Sequence, residues 1–231
     1  MIKIRNSFAN WCRQQKNLPV VAKQTVDVLS QTIIHRECSQ AYKQLSTRMT
    51  LNLSKAGITD LTPFSSLNNL RSLNLANNQI TDISSLSSLV NLSYLDLAGN
   101  QITDISSLSS LVNLSYLDLA DNQITDISSL SSLVNLSYLR LSSNQIIDVR
   151  PLSQLRQLKG LDLSENPVDD TRALSNLTNL AFLKINITQS ADIPGRLLAQ
   201  KQDKPHYQRV HALSLIKTKP VETVQQLSAI S

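Results

Sequence analysis

Leucine recurs along the middle of the chain in a register of 22 residues, and each time it opens a triplet with a second apolar residue two positions on. The opening leucines are Leu51, Leu73, Leu95, Leu117, Leu139, Leu161 and Leu183. This alternation predicts short strands whose two apolar side chains point to the same face. We therefore expect a parallel sheet of about seven strands with ~4.8 Å between neighbours.

The remaining apolar residues of each unit follow at gaps of three, as at Ile83, Leu86, Leu89 and Leu92. This spacing is too irregular for a long helix and indicates either a 3₁₀ turn or an extended return path. One such coil cannot bury its own apolar edge, so neighbouring coils must stack around a shared core. The middle coils are near-copies, because residues 79–98 recur unchanged at 101–120.

An asparagine stands five residues after the opening leucine in five consecutive units: Asn78, Asn100, Asn122, Asn144 and Asn166. We expect these residues to form a structural ladder of buried amides that satisfies backbone groups of adjacent coils. The aspartates that precede the convex turns are expected to cap them, and these are Asp82, Asp104, Asp126 and Asp148. They supply one carboxylate per coil without a converging histidine, so no metal site is predicted.

The resulting pattern, LxLxxNxIxDIxxLxxLxxLxx, resembles the leucine-rich repeat family, and its length and NQITDI phrase are most similar to the internalin and phosphatase-regulator type. The resemblance covers residues 51–187. It implies an α/β fold, namely a right-handed solenoid bent into a horseshoe arc with the parallel sheet on its concave side. It also implies a protein–protein interaction module, because the family mostly binds proteins.

Both flanks depart from the repeat, as expected of segments that cover the open ends of a stack. We divide the chain into a helical amino-terminal cap at 1–50, the solenoid at 51–187 and a mainly helical carboxy-terminal segment at 188–231. Helical spacing of apolar residues predicts cap helices over about 20–34 and 36–47, with Cys38 and Tyr42 buried between them and the first coil.

The side chains that flank the inward leucines point to the concave face, because strand side chains alternate. We predict a row of three tyrosines there, beside a row of charged residues. The face is expected to bind a protein or peptide, of basic character, through Tyr94, Tyr116, Tyr138, Asp96, Asp118, Asp121, Arg140 and Phe182.

Two interpretations of the charged row stay open. Asp118, Arg140, Asp162 and Lys184 alternate in sign and can pair across neighbouring strands, which neutralises them. Asp96 and Asp118 are adjacent like charges, and carboxylates without a cation beneath tyrosines suit a basic or arginine-containing peptide. The alternative function is a ligand-free structural or consensus-built scaffold, because near-identical coils copy the same tyrosines and aspartates whether or not a ligand uses them.

Catalytic chemistry is not predicted. With only 4 glycines in 231 residues, a nucleotide-binding fold with glycine loops is not expected. The 3 histidines and 2 cysteines have no zinc-type spacing, and the repeated serines have no base beside them. We expect no enzymatic activity and no cofactor.

The formal net charge of +5 is segregated along the chain, with +6 over 1–50, −5 over 51–182 and +4 over 183–231. The basic ends leave nucleic-acid contact as a further alternative, but they lack the interleaved aromatics of stacking sites. Two cysteines are too few for a disulfide-stapled secreted scaffold, and the first residues contain no apolar signal region. A monomeric cytoplasmic protein without membrane association is expected.

Overall fold

The computed structural model describes residues 7–34 and 37–186 of the 231-residue chain. Three short helices precede seven three-residue strands: β1 Thr50–Asn52, β2 Ser72–Asn74, β3 Tyr94–Asp96, β4 Tyr116–Asp118, β5 Tyr138–Arg140, β6 Gly160–Asp162 and β7 Phe182–Lys184. The strands are parallel and lie in sequence order in one sheet. The predicted leucine-rich-repeat solenoid with a parallel sheet is confirmed.

Leucine lies opposite leucine at every step of the sheet, as where Leu95 pairs with Leu117. The second apolar residue of each triplet is buried on the same side, and in the middle coils, as at Leu97, it is fully buried. These side chains form one continuous core that runs through the stack and into the cap. A register of 22 residues therefore corresponds to one complete coil.

The return path of each coil contains a 3₁₀ turn, which was one of the two conformations that the sequence allowed. These convex turns are Thr62–Phe64, Ser84–Ser88, Ser106–Ser110, Ser128–Ser132, Arg150–Gln154 and Arg172–Asn176. The carboxylate of Asp82 accepts a hydrogen bond from the N–H of Ser84 at 2.8 Å, and Asp104 does the same for Ser106. Each aspartate thus satisfies the first free N–H of its turn.

The asparagine ladder joins consecutive coils through side-chain hydrogen bonds. Asn122 is buried, and its side-chain oxygen accepts a hydrogen bond from the N–H of Ile102 at 3.0 Å. Its amide nitrogen donates to the carbonyls of Leu97 and Leu119, both at 3.1 Å. One side chain thereby satisfies backbone groups of its own coil and of the preceding one, which identifies its role as structural.

The amino-terminal cap consists of α1 Phe8–Arg13, α2 Val20–Gln31 and α3 Cys38–Ser46. Buried side chains from all three helices belong to the solenoid core: Phe8, Val26, Leu29, Ala41 and Leu45. Polar contacts add to this packing, because the hydroxyl of Thr25 donates to the carbonyl of Asp60 at 2.7 Å. The cap therefore covers the apolar end of the first coil.

The cap differs in detail from the sequence-based expectation. Helix α2 ends at Gln31 and α3 begins at Cys38, and α1 was not anticipated. Helix α1 is too short to show an amphipathic period, and so short a helix depends on tertiary contacts. Cys38 and Tyr42 are half-buried rather than buried, and Cys38 forms a disulfide with Cys12, which the cysteine count had not suggested. The expected carboxy-terminal segment at 188–231 lies outside the described residues.

Candidate binding face

Alternation along each strand separates the core from the concave face. In β3, Leu95 is fully buried while Tyr94 and Asp96 are half-buried on the other side of the sheet. Parallel pairing then brings Tyr94, Tyr116 and Tyr138 into line, because they occupy the same register position on three neighbouring strands. The concave face is thus built by one position of the repeat copied across coils.

The tyrosine row is a stacked pair plus a separate third ring. The rings of Tyr94 and Tyr116 lie parallel, with centroids 4.5 Å apart and 7° between their planes. Tyr138 lies instead over Gly160, where a Cβ atom would come within 2.8 Å of its ring, and remains 42% exposed. Glycine on β6 therefore leaves room for this ring, and the three tyrosines do not form one continuous stack.

The aspartates of the charged row have a structural role that the sequence analysis missed. The side chain of Asp96 accepts a hydrogen bond from the N–H of Ala98 at 3.1 Å, two residues further along the chain. Residues at the same position of other coils make the same turn, namely Asn52, Asn74, Asp118 and Asp162. Because asparagine makes this turn as well as aspartate does, the turn requires the side-chain oxygen and not its charge. The interchange of Asn and Asp along the row was the signal for it.

The charge of Asp118 is neutralised within the face. Its carboxylate is 2.8 Å from the guanidinium of Arg140, and the Tyr116 hydroxyl donates to it at 3.4 Å. Only 2% of Asp118 is exposed. Of the two interpretations that the sequence left open, lateral pairing holds for Asp118, and its interpretation as a carboxylate without a cation is wrong, because the side chain of Arg140 reaches across one strand spacing. Asp162 also has a cation on a neighbouring strand, because the Nζ atom of Lys184 lies 3.8 Å from its Oδ2 atom.

Asp96 differs from the other acids of the row. Within 7–34 and 37–186 it forms no ion pair, since Arg140 lies two strands away and is engaged by Asp118. Burial raises the pKa of Asp96, and the neighbouring charge of Asp118 raises it further. Burial also raises the pKa of the adjacent Tyr116 hydroxyl to about 12. The more distant charge of Arg140 and the hydrogen bond from Ala98 act on the pKa of Asp96 in the opposite direction, but Asp96 remains a half-buried carboxylate without an ion pair, beside two stacked aromatic rings.

The remaining predicted site residues lie apart from this point. Asp121 is exposed at the edge of the sheet, where its φ of 55° marks a left-handed turn. The corresponding residue of the preceding coil is Gly99, also at positive φ. Phe182 lies on β7, on the far side of β6 from Tyr138. The structure thus brings together Tyr94, Tyr116, Asp96, Asp118 and Arg140 and leaves Tyr138, Asp121 and Phe182 around them.

We expect Asp96→Asn to increase the stability of the folded protein modestly at pH 7. The folded protein binds a proton at Asp96 more tightly than the unfolded chain does, so the charged carboxylate costs stability above the folded-state pKa. Below the unfolded-state pKa of ~4 the carboxyl group is protonated in both states, and the advantage of the amide variant over the wild type disappears. Urea unfolding at pH 7 and pH 3 measures this difference.

Asp121→Asn is the matched control, because it removes one negative charge from an exposed turn that asparagine also tolerates. A lower urea midpoint of Asp96→Asn at pH 7 would contradict this prediction. It would mean that the charged Asp96 carboxylate stabilises the folded protein through a contact other than the ion pairs of the described residues.

Other kinds of site are not seen in the part of the chain that the structure describes. No group of three or more His, Cys, Asp or Glu side chains there could hold a metal ion. Among the same residues, no helix is long and apolar enough to cross a membrane.

Short parallel strands, 3₁₀ return turns and a buried asparagine ladder define a solenoid of leucine-rich repeats whose concave face is open. The sequence pattern of the family described as a leucine-rich repeat region matches residues 48–226, well over half of the chain. The chain therefore belongs to the leucine-rich repeat family. This family is generally non-catalytic and generally serves in protein interaction.

Solved structures of bacterial proteins share this fold. An internalin (inlF) from Listeria monocytogenes is 33% identical over 65% of this chain and 51% of that chain, with a TM-score of 0.55. A leucine-rich-repeat protein of Leptospira interrogans is 28% identical over 60% of this chain and 37% of that chain, with a TM-score of 0.52. The chain thus spans about half the length of the internalin and less of the Leptospira protein. No curated protein matches the sequence.

Proposed function

We propose that this chain is a recognition module that binds a protein partner on its concave face, and that the partner presents an arginine or lysine side chain to Asp96. The observation that carries the proposal is the position of Asp96, a half-buried carboxylate that forms no ion pair within the described residues, beside the stacked rings of Tyr94 and Tyr116. The neighbouring acids on the same row already have cations of their own.

The chemistry of this point fits a cationic side chain. A guanidinium or ammonium group would pair with the Asp96 carboxylate and lie against the electron-rich rings beside it. Partial burial strengthens such a contact, because water screens it less than it screens an exposed pair. Tyrosine is enriched among the residues that dominate binding energy at protein interfaces, so the ring pair supplies a natural anchor.

A ligand-free structural scaffold is the second candidate, and one observation favours it. The turn made by each Asp or Asn of the row accounts for its recurrence from coil to coil without any ligand. Under this alternative Asp96 repeats Asp118 only because the coils are near-identical, and its charge binds no ligand. The two candidates differ in whether the face binds anything.

We expect Tyr94→Ser, Tyr116→Ser and Tyr138→Ser together to weaken binding at least ~30-fold. Truncating a central aromatic anchor costs over ~2 kcal/mol of binding free energy, and about 1.4 kcal/mol corresponds to a factor of ten. The assay uses fluorescence anisotropy with a library of nine-residue peptides that carry a central arginine. Binding peptides should lose affinity when citrulline, which lacks the charge, replaces arginine, and when salt is raised.

The matched control is Val90→Ser, Val112→Ser and Val134→Ser. These valines occur in the coils that bear the tyrosines, at another position of the repeat, and are exposed to a similar extent as Tyr138. They should leave binding unchanged. Loss of the Tyr94–Tyr116 stack should cost about 1 kcal/mol of folding stability in addition to the lost burial of the rings, so circular dichroism must confirm that the variant is folded. If the tyrosine variant stays folded and binds as well as wild type, the concave face is not the binding surface, and if no arginine peptide binds wild type, the scaffold alternative is favoured.

A further inference from the structure

We propose that the Cys12–Cys38 disulfide is a redox latch that holds α1 on the amino-terminal cap, and that the chain acquires it in an oxidising compartment. The Cα atoms of the two residues are 5.6 Å apart, within the range that a disulfide spans. They are the two cysteines of these 231 residues, which therefore offer no third cysteine as an alternative partner. The proposal does not depend on the function proposed for the concave face.

Helix α1 needs such a connection more than its neighbours do. It has six residues, fewer than an isolated helix requires for stability. Its noncovalent attachments begin with Phe8, which is fully buried in the core and whose N–H donates to the hydroxyl of Ser66 at 3.0 Å. Cys12 lies one turn further on, near the end of the helix, where the disulfide joins it to the first residue of α3.

The disulfide links the first helix of the cap to the helix that precedes the solenoid. The chain it closes contains all of α2, whose Val26 and Leu29 are fully buried. Opening the bond restores the freedom of this segment in the unfolded chain and leaves α1 held only by noncovalent packing, through the buried Phe8 and Ala9 and the half-buried Trp11. Reduction should therefore loosen α1 first, while the sheet stays intact, because each strand there contacts only its neighbours.

Formation of the latch is an oxidation. The two thiols lose two protons and two electrons as the sulfur–sulfur bond forms, and an external disulfide accepts these and is cleaved to two thiols. The external oxidant is a protein disulfide of the thiol oxidoreductase class or a small disulfide such as oxidised glutathione. Such bonds persist in exported proteins and are rare in a reducing cytosol. The disulfide thus favours a compartment other than the cytoplasm expected from the sequence.

The latch is tested on the full chain by adding a reductant. The thermal midpoint of the oxidised protein should fall by about 5–10 °C on reduction. Amide hydrogens of residues 8–13 should exchange roughly tenfold faster or more at temperatures where the chain is folded, and by a larger factor than those of β4, which exchange only when the solenoid itself opens. The variant Cys12→Ser/Cys38→Ser should behave like the reduced protein and should not respond to the reductant. Unchanged exchange in α1 together with an unchanged midpoint would overturn the latch.

The compartment is tested by producing the chain in a bacterial host, once in the cytosol and once directed to the periplasm. Acid quenching and a maleimide-polyethylene-glycol label then count free thiols on a gel. We expect both thiols to be labelled in the cytosolic chain and neither in the periplasmic one. A fully oxidised cytosolic chain, or a periplasmic chain with both thiols free, would overturn the inference about the compartment.

Discussion

Asn122→Leu is expected to lower the free energy of unfolding by about 3 kcal/mol or more, because several buried backbone groups lose their partner at once. Leucine has the same branching at Cγ and is somewhat larger, but it neither accepts the hydrogen bond of the Ile102 N–H nor donates to the carbonyls of Leu97 and Leu119. Each buried backbone group left without a partner costs roughly 1–3 kcal/mol. Urea unfolding followed by circular dichroism measures the change.

Gln123→Leu is the control for this prediction. Gln123 is the next residue along the chain and is exposed, so its replacement should change stability by no more than about 0.5 kcal/mol. The backbone N–H of Gln123, which donates to the carbonyl of Ile102, is unaffected by the substitution. Equal urea midpoints for the two variants would show that the ladder contributes little to stability.

Removal of residues 1–47 is expected to abolish folding as a soluble monomer. The cap contributes buried side chains to the core of the first coil, where Leu51, Ile58 and Phe64 would lose their cover. Stacks of repeats need a terminal unit with a polar outer face to remain soluble. Size-exclusion chromatography and thermal unfolding of the truncated chain should show aggregation or a loss of cooperativity.

A pair of point substitutions in α2 separates loss of the cap from loss of chain length. Val26→Asp places a charge at a fully buried position, whereas Val20→Asp changes the same residue type where it is 82% exposed. The first should reproduce the defect of the truncation, because a buried carboxylate without a partner is strongly unfavourable. The second should leave the protein unchanged. A truncated chain that is soluble, monomeric and equally stable would show that the cap is dispensable.

The architecture of the solenoid follows from the sequence alone. A repeat of 22 residues places Leu95 over Leu117 and Asn100 over Asn122, because one repeat corresponds to one coil. Alternation within the triplet then determines which side chains enter the core and which face the concave side. Local pattern and global fold coincide here, since each coil contacts only its neighbours in the chain.

Which charged and aromatic side chains of the concave face are free to contact a partner depends on how the coils assemble. The repeat places Asp96 and Asp118 in equivalent positions, but only Asp118 lies next to a strand that bears Arg140, which pairs with it. Stacking of Tyr94 on Tyr116, and the position of the Tyr138 ring over Gly160, likewise depend on rotamers that one-dimensional periodicity does not specify. Side-chain pairing across strands is a property of the assembled surface, where neighbours compete for the same partner.

The amino-terminal cap likewise depends on tertiary contacts. Helix α1 has too few residues to show a period, and it forms because Phe8 enters the core of the first coil. The disulfide joins Cys12 to Cys38 across 26 positions of sequence, and no local pattern indicates that α1 folds back on α3. Because its pattern repeats, the solenoid can be predicted from the sequence. The cap occurs once and depends on contacts between segments that are far apart along the chain.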